Sequence, residues 1–154
     1  MHENRYLRRI IDGAAEFALK SRGALVISGP KWCGKSTTAK RYAKTVINLL
    51  LPDTRNEFIE LARISPTHFL NYGPKPLLVN EWQHVPFIWD QVKYEVDKTG
   101  EFGQYLLTGS VTDKLGTDAG NENGRHPGNG RIIRKMMRTM SLYETATAPC
   151  PSLI

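Results

Sequence analysis

The segment Gly29-Pro30-Lys31-Trp32-Cys33-Gly34-Lys35-Ser36 spells G-x-x-x-x-G-K-[ST], a complete phosphate-binding loop. It constrains the fold because the motif works only between a strand and a helix. The apolar, β-branched run Ala24-Leu25-Val26-Ile27 precedes it, and a helix-forming run, Thr37-Thr38-Ala39-Lys40-Arg41-Tyr42-Ala43-Lys44, follows it. Gly29 and Gly34 let the backbone close around a phosphate, with successive N–H groups pointing inward. Lys35 is placed to reach the β- and γ-phosphates as a point charge, and the Ser36 hydroxyl is placed to ligate Mg²⁺. Pro30, Lys31, Trp32, Cys33 and Thr37 complete the predicted nucleotide-binding set, with Trp32 expected to pack locally rather than stack on a base.

The rest of the chain reads as strands alternating with helices, which implies a parallel sheet. An amphipathic helix is predicted over residues 4–20, from the helical spacing of Tyr6, Leu7, Ile10, Ile11, Ala14, Phe17 and Ala18. The first strand spans 24–28, and the helix after the loop extends to about Lys44. Further elements are a strand over 46–51, a short helix over 55–63, a connector over 66–76, a strand over 76–81, a helix over 88–99 and a strand over 104–110. Residues 111–130 hold five glycines among Asn and Asp and read as a mobile loop. In residues 131–140, Ile132, Ile133, Met136, Met137 and Met140 fit a helical period, so composition alone predicts a helix there. Residues 145–154 read as a disordered tail after a single domain over 1–144.

Composition narrows the class. At 154 residues the chain suits one domain with a self-sufficient core. Two cysteines, Cys33 and Cys150, do not suggest a disulfide framework, and four scattered histidines lack ligand spacing. No apolar run is long enough to span a bilayer and no signal peptide is evident, so a cytoplasmic protein without membrane partners is expected. The net charge of +6 fits polyanion binding. Only the weak basic stretch over 131–138 supports nucleic acid as a partner, with no helix-turn-helix or zinc-finger pattern beside it.

Hydrolysis needs a water activator and control of the metal. The strand Leu77-Leu78-Val79-Asn80-Glu81 ends in two polar residues, as a buried parallel strand does at its carboxyl edge. Glu81 is the candidate general base or water-positioning group. Asn80 stands where an Asp is usual; it can accept a hydrogen bond from a metal-bound water, but it brings no charge and its NH₂ end is wrong for a cation. Slow or absent turnover with binding retained is therefore expected. Thr108 and Ser110 end the next strand, and either hydroxyl could hold the attacking water or a γ-phosphate oxygen; the other reading is strand-end capping. Arg131 and Arg125 flank the glycine-rich stretch as candidate fingers, acting in cis or in a neighbouring subunit; the other reading is a solvated Arg. Trp89 lies on a helical apolar stripe and reads as core. Tyr6 and the Arg8-Arg9 pair are candidates for an adenine pocket, against the plainer reading of helix packing with exposed charges.

Together with the phosphate loop, the strings Asn80-Glu81-Trp82-Gln83, Val85-Pro86 with Trp89-Asp90, Leu107-Thr108-Gly109-Ser110, and Gly130-Arg131-Ile132 with Met140-Ser141-Leu142-Tyr143-Glu144 resemble a prokaryotic AAA-type family of ATP-binding proteins. The resemblance covers residues 5 to about 144. It implies an α/β P-loop NTPase of the additional-strand type, a three-layer sandwich on a five-stranded parallel sheet. It turns residues 131–140 from a predicted helix into a predicted strand. It carries phosphate and Mg²⁺ binding to Lys35 and Ser36, catalysis to Glu81, γ-phosphate sensing to Thr108 or Ser110, and a finger role to Arg131. The cofactors implied are ATP and Mg²⁺, and the partners a second copy or another protein. Members carry a helical lid and a C-terminal nuclease-fold domain, both expected to be missing from a chain ending soon after Glu144. The competing expectations are an impaired nucleotide-binding switch, a phosphotransferase using Asp53 and Arg55 toward an acceptor, and a DNA-binding protein. Glu81 after the third apolar strand favours water as the nucleophile over an acceptor.

Overall fold

A computed structural model describes residues 6–110 and 130–146. Five strands run β1 (Ala24–Gly29), β2 (Thr45–Asn48), β3 (Leu77–Asn80), β4 (Tyr105–Ser110) and β5 (Ile132–Met136). They form one sheet in the order β2-β3-β4-β1-β5 with every pairing parallel. The helices are α1 (Ile10–Ser21), α2 (Lys35–Lys40), α3 (Pro52–Ile64), α4 (Pro66–Leu70), α5 (Ile88–Thr99) and α6 (Leu142–Ala146), with a 3₁₀ turn over Trp82–His84.

Strand alternation sorts the core into two layers. Leu25, Ile27, Leu78 and Leu106 face α1 and α2, where they meet Ile11, Ala15, Ala18 and Ala39. Their neighbours Ala24, Val26, Leu77, Val79, Tyr105 and Leu107 face α3, α4 and α5, among Phe69, Leu70, Ile88, Val92 and Val96. Successive strand residues point to opposite faces, and helices cover both, so the central strands read as unbroken apolar runs. The expected three-layer α/β fold on a five-stranded parallel sheet is therefore present.

Several boundaries differ from expectation. α1 starts at Ile10 rather than residue 4, because the Asp12 carboxylate accepts the Arg9 backbone N–H at 2.7 Å and caps the first turn there. α2 ends at Lys40 instead of near Lys44, and β2 spans 45–48 instead of 46–51. α3 starts at Pro52 rather than residue 55, with proline at the first helical position. The expected connector over 66–76 contains α4, started by Pro66 and capped by the Ser65 side chain, which accepts from the His68 N–H at 3.4 Å. Residues 132–136 form a strand, as the resemblance implied and against the helical period. That strand fills the open edge of β1, Ala24 pairing with Ile132 and Ser28 with Met136. The first two residues of the predicted tail, Thr145 and Ala146, belong to α6. Residues 111–129 and 147–154, with Arg125 and Cys150, lie outside the described residues.

Candidate nucleotide site

The carboxyl ends of β1, β3 and β4 meet at one edge of the sheet, and the phosphate loop leaves β1 there. Gly29 cannot carry a side chain, because a Cβ on it would sit 2.2 Å from the Met137 carbonyl oxygen. Gly34, at φ 96°, takes the left-handed conformation that starts α2. The loop is braced from behind by Arg9, whose guanidinium donates to the Cys33 carbonyl at 2.7 Å and the Arg138 carbonyl at 2.9 Å. The same guanidinium pairs with Glu144 at 3.0 Å, and both side chains are buried. Lys35 is buried and donates to the Pro30 carbonyl at 2.7 Å, across the loop.

A cavity of about 500 Å³ opens at this edge. Lys31, Trp32, Gly34, Lys35, Ser36 and Thr37 line it from the loop, with Glu81 and Ser110 from the neighbouring strand ends. Leu50, after β2, completes the wall and was not among the expected residues. Gly29, Pro30 and Cys33 shape the loop without lining the cavity: the buried Cys33 thiol faces the Met137 carbonyl at 3.7 Å. Trp32 departs from expectation. It is fully exposed at φ 66° and does not pack locally.

Behind Ser36 lies a row of polar side chains across the sheet. Asn48, Asn80 and Thr108 are successive register partners on β2, β3 and β4. Ser36 Oγ donates to Asn80 Oδ1 at 2.5 Å, and Thr108 Oγ1 donates to the same oxygen at 2.7 Å. Asn80 Nδ2 donates to Asn48 Oδ1 at 2.9 Å. Asn80 and Thr108 are both buried and do not line the cavity, so Asn80 stands one hydrogen bond behind Ser36. Of the two hydroxyls left open by the sequence, Ser110 faces the cavity, while Thr108 holds Asn80 and accepts from the Glu81 N–H at 3.4 Å.

Glu81 has φ 62°, a left-handed conformation costly for a residue with a side chain, and such strain clusters at functional sites. It turns the chain out of β3 and sets the carboxylate at the cavity wall. There Oε2 accepts from Gln83 Nε2 and from Ser110 Oγ, the latter at 3.4 Å. His84, just beyond, contacts Arg55 at 3.2 Å; burial and then the Arg55 charge push its pKa down. The Arg55 side chain is thus turned to His84, and neither Arg55 nor Asp53 lines the cavity.

Arg131 is not brought to this site. Its carbonyl accepts from the Gly23 N–H at 2.9 Å, level with the amino end of β1, and its guanidinium pairs with Asp97. Six residues of β1 separate that level from the loop, roughly 20 Å at strand spacing, so a finger role in cis is withdrawn. The adenine-pocket reading of the N-terminal residues also changes. Tyr6 donates to Asp12 at 2.8 Å and contacts Thr38 at 3.0 Å, and Arg9 is buried under the loop rather than exposed. Neither lines the cavity. Trp89, the expected core residue, is partly buried and packs on the core beside Trp82.

The oxygens at the cavity suit a hard cation shared with phosphate: Ser36 Oγ gives its hydrogen to the buried Asn80 and so keeps its lone pairs free, and Glu81 lines the same cavity. Among the described residues no cluster of three or more His, Cys, Asp or Glu could hold a metal by itself. No described helix is long and apolar enough to cross a membrane. A family model described as an AAA domain matches residues 21–146, from the last residue of α1 to the end of α6. No curated protein matches the chain.

Proposed function

The chain belongs to the AAA domain family, a family of nucleotide-binding, ATPase-like modules, and from that premise we propose that it binds ATP and hydrolyses it with Mg²⁺. The observation that carries this reading is the Glu81 carboxylate at the wall of the same cavity as Lys35 and Ser36. In this reading the loop amides and Lys35 hold the phosphates, and Ser36 Oγ offers a ligand to the metal. Bound Mg²⁺ would neutralise phosphate charge. Glu81 accepts a proton from the attacking water, while Gln83 and Ser110 hold its carboxylate in place. Asn80 supplies a neutral oxygen where a carboxylate is usual, so turnover is slow compared with an Asp-containing site.

A second reading, a nucleotide-binding switch with little turnover, is favoured by that same Asn80. Glu81→Gln separates the two. Loss of the general base should lower phosphate release at least about 100-fold and leave ATP affinity within about threefold. A release rate equal in wild type and variant would remove Glu81 from the mechanism and leave the switch.

A further inference from the structure

We propose that Asn48 is a positioning residue for Asn80: it fixes which end of the Asn80 carboxamide faces Ser36. The proposal rests on the reading of Ser36 as the metal-side residue of an ATP site.

A carboxamide has one accepting and one donating end, and its neighbours decide which way it lies. On Asn48 the choice is made by its own backbone. Its Oδ1 accepts the Leu50 N–H at 3.1 Å, a turn in which an Asn side chain bonds the amide two residues on. That oxygen also faces β3, where only a donor can meet it. Asn80 Nδ2 does so at 2.9 Å. The Asn80 oxygen is thereby turned to the other side, where both Ser36 and Thr108 donate to it. The reversed amide would set two carbonyl oxygens against each other at Asn48. It would also set an NH₂ group against Ser36 Oγ, which would then have to accept, leaving the hydroxyl hydrogen to point where a cation must bind.

A carboxylate has two equivalent oxygens and needs no such orientation, and with Asp at position 80 an oxygen would oppose Asn48 Oδ1 whichever way the group lies. Removing the Asn48 side chain therefore costs metal binding while position 80 is Asn, and costs none when it is Asp. The two amides act as one unit, spread over two adjacent strands of the sheet at a single register level.

Two measurements on the full chain test this. The first uses side-chain amide proton exchange, read by NMR without ligand. The Asn80 amide protons should exchange well below the rate of the exposed Asn56. Asn48→Ala should abolish that protection, and Asn48→Asp, which keeps an acceptor, should restore it. Asn80 protons exchanging as fast as those of Asn56 would overturn the proposal whatever the chain does with nucleotide. The second titrates Mg²⁺ against ADP binding in wild type, Asn48→Ala, Asn80→Asp and the double variant. Asn48→Ala should raise the half-saturating Mg²⁺ concentration about 10-fold with Asn80 present and should not raise it with Asp at position 80. Its ADP affinity without Mg²⁺ should stay within about twofold of wild type. Equal shifts in both backgrounds, or none with Asn80, would overturn it. Absence of ADP binding in every variant would instead defeat the nucleotide reading, and amide exchange would still decide the pairing.

Discussion

Asn80 and Glu81 are adjacent in sequence and do opposite things. Asn80 ends β3 with its side chain buried behind Ser36, while Glu81 turns into a left-handed conformation that puts its carboxylate at the cavity wall. The sequence marks both positions, because a buried strand ending in polar residues announces its carboxyl edge. It does not mark Asn48, and it marks Arg9 only as an adenine-pocket candidate and Gln83 only as part of a family string. Asn48 meets Asn80 only through strand register, and Arg9 reaches the loop only because α1 packs on the sheet. Such pairings lie many residues apart, and no local pattern encodes them. The loop itself rests on backbone chemistry that a single substitution can test. Gly34 holds φ 96°, and a Cβ there would lie 3.0 Å from Arg9 Nη1. Gly34→Ala should cost about 1–3 kcal/mol of stability by urea unfolding and at least about 10-fold in ATP affinity. An unchanged affinity would mean that the loop tolerates a different backbone.

At the scale of elements, β3, α5 and β4 were legible as periodic or buried runs, whereas β5 was misread by composition. Ile132, Ile133, Met136 and Met137 do fit a helical period, yet the open edge of β1 supplies a ladder of backbone partners that only an extended chain can use. α4 went unseen because one helical turn after a proline leaves little periodic signal. α6 is held through Glu144, which accepts from Arg9, from the Ile10 N–H and from the Ser141 N–H at 2.7 Å. Burial alone would raise the Glu144 pKa. The backbone bonds from Ser141 and Ile10, followed by Arg9 and the Ser141 hydroxyl, outweigh it and hold the carboxyl at about 2, below its ordinary 4.5. A carboxyl depressed on folding stabilises the folded chain above the ordinary value and loses that contribution as pH falls toward the folded one. Glu144→Gln should therefore be less stable than wild type at neutral pH, and the gap should close between about pH 4.5 and about pH 2. Urea unfolding across that range checks it; a constant gap would assign the loss to packing rather than charge.

For the whole molecule, the strand order β2-β3-β4-β1-β5 puts the loop, Glu81 and Ser110 at one edge and leaves Arg131 at the other. The phosphate loop and the alternation of strands and helices were enough to predict a parallel sheet. Strand order was not legible in the local patterns, since β1 pairs with β4 and β5, far from it in sequence. The same separation hid the misplacement of Arg131, which lies beside a glycine-rich stretch in sequence but directly precedes β5 at the far end of the sheet. A net charge of +6 is then shared between the phosphate edge and the rest of the surface. All of these features converge on one cavity of about 500 Å³ with Lys35 in its wall. The most direct test of the account is calorimetric titration of ATP with Mg²⁺ into wild type and Lys35→Ala. The account predicts saturable one-to-one binding to wild type and affinity at least about 100-fold weaker in the variant, as expected when a buried phosphate-binding cation is removed. Equal binding by the two, or no binding by a folded wild type, would contradict it.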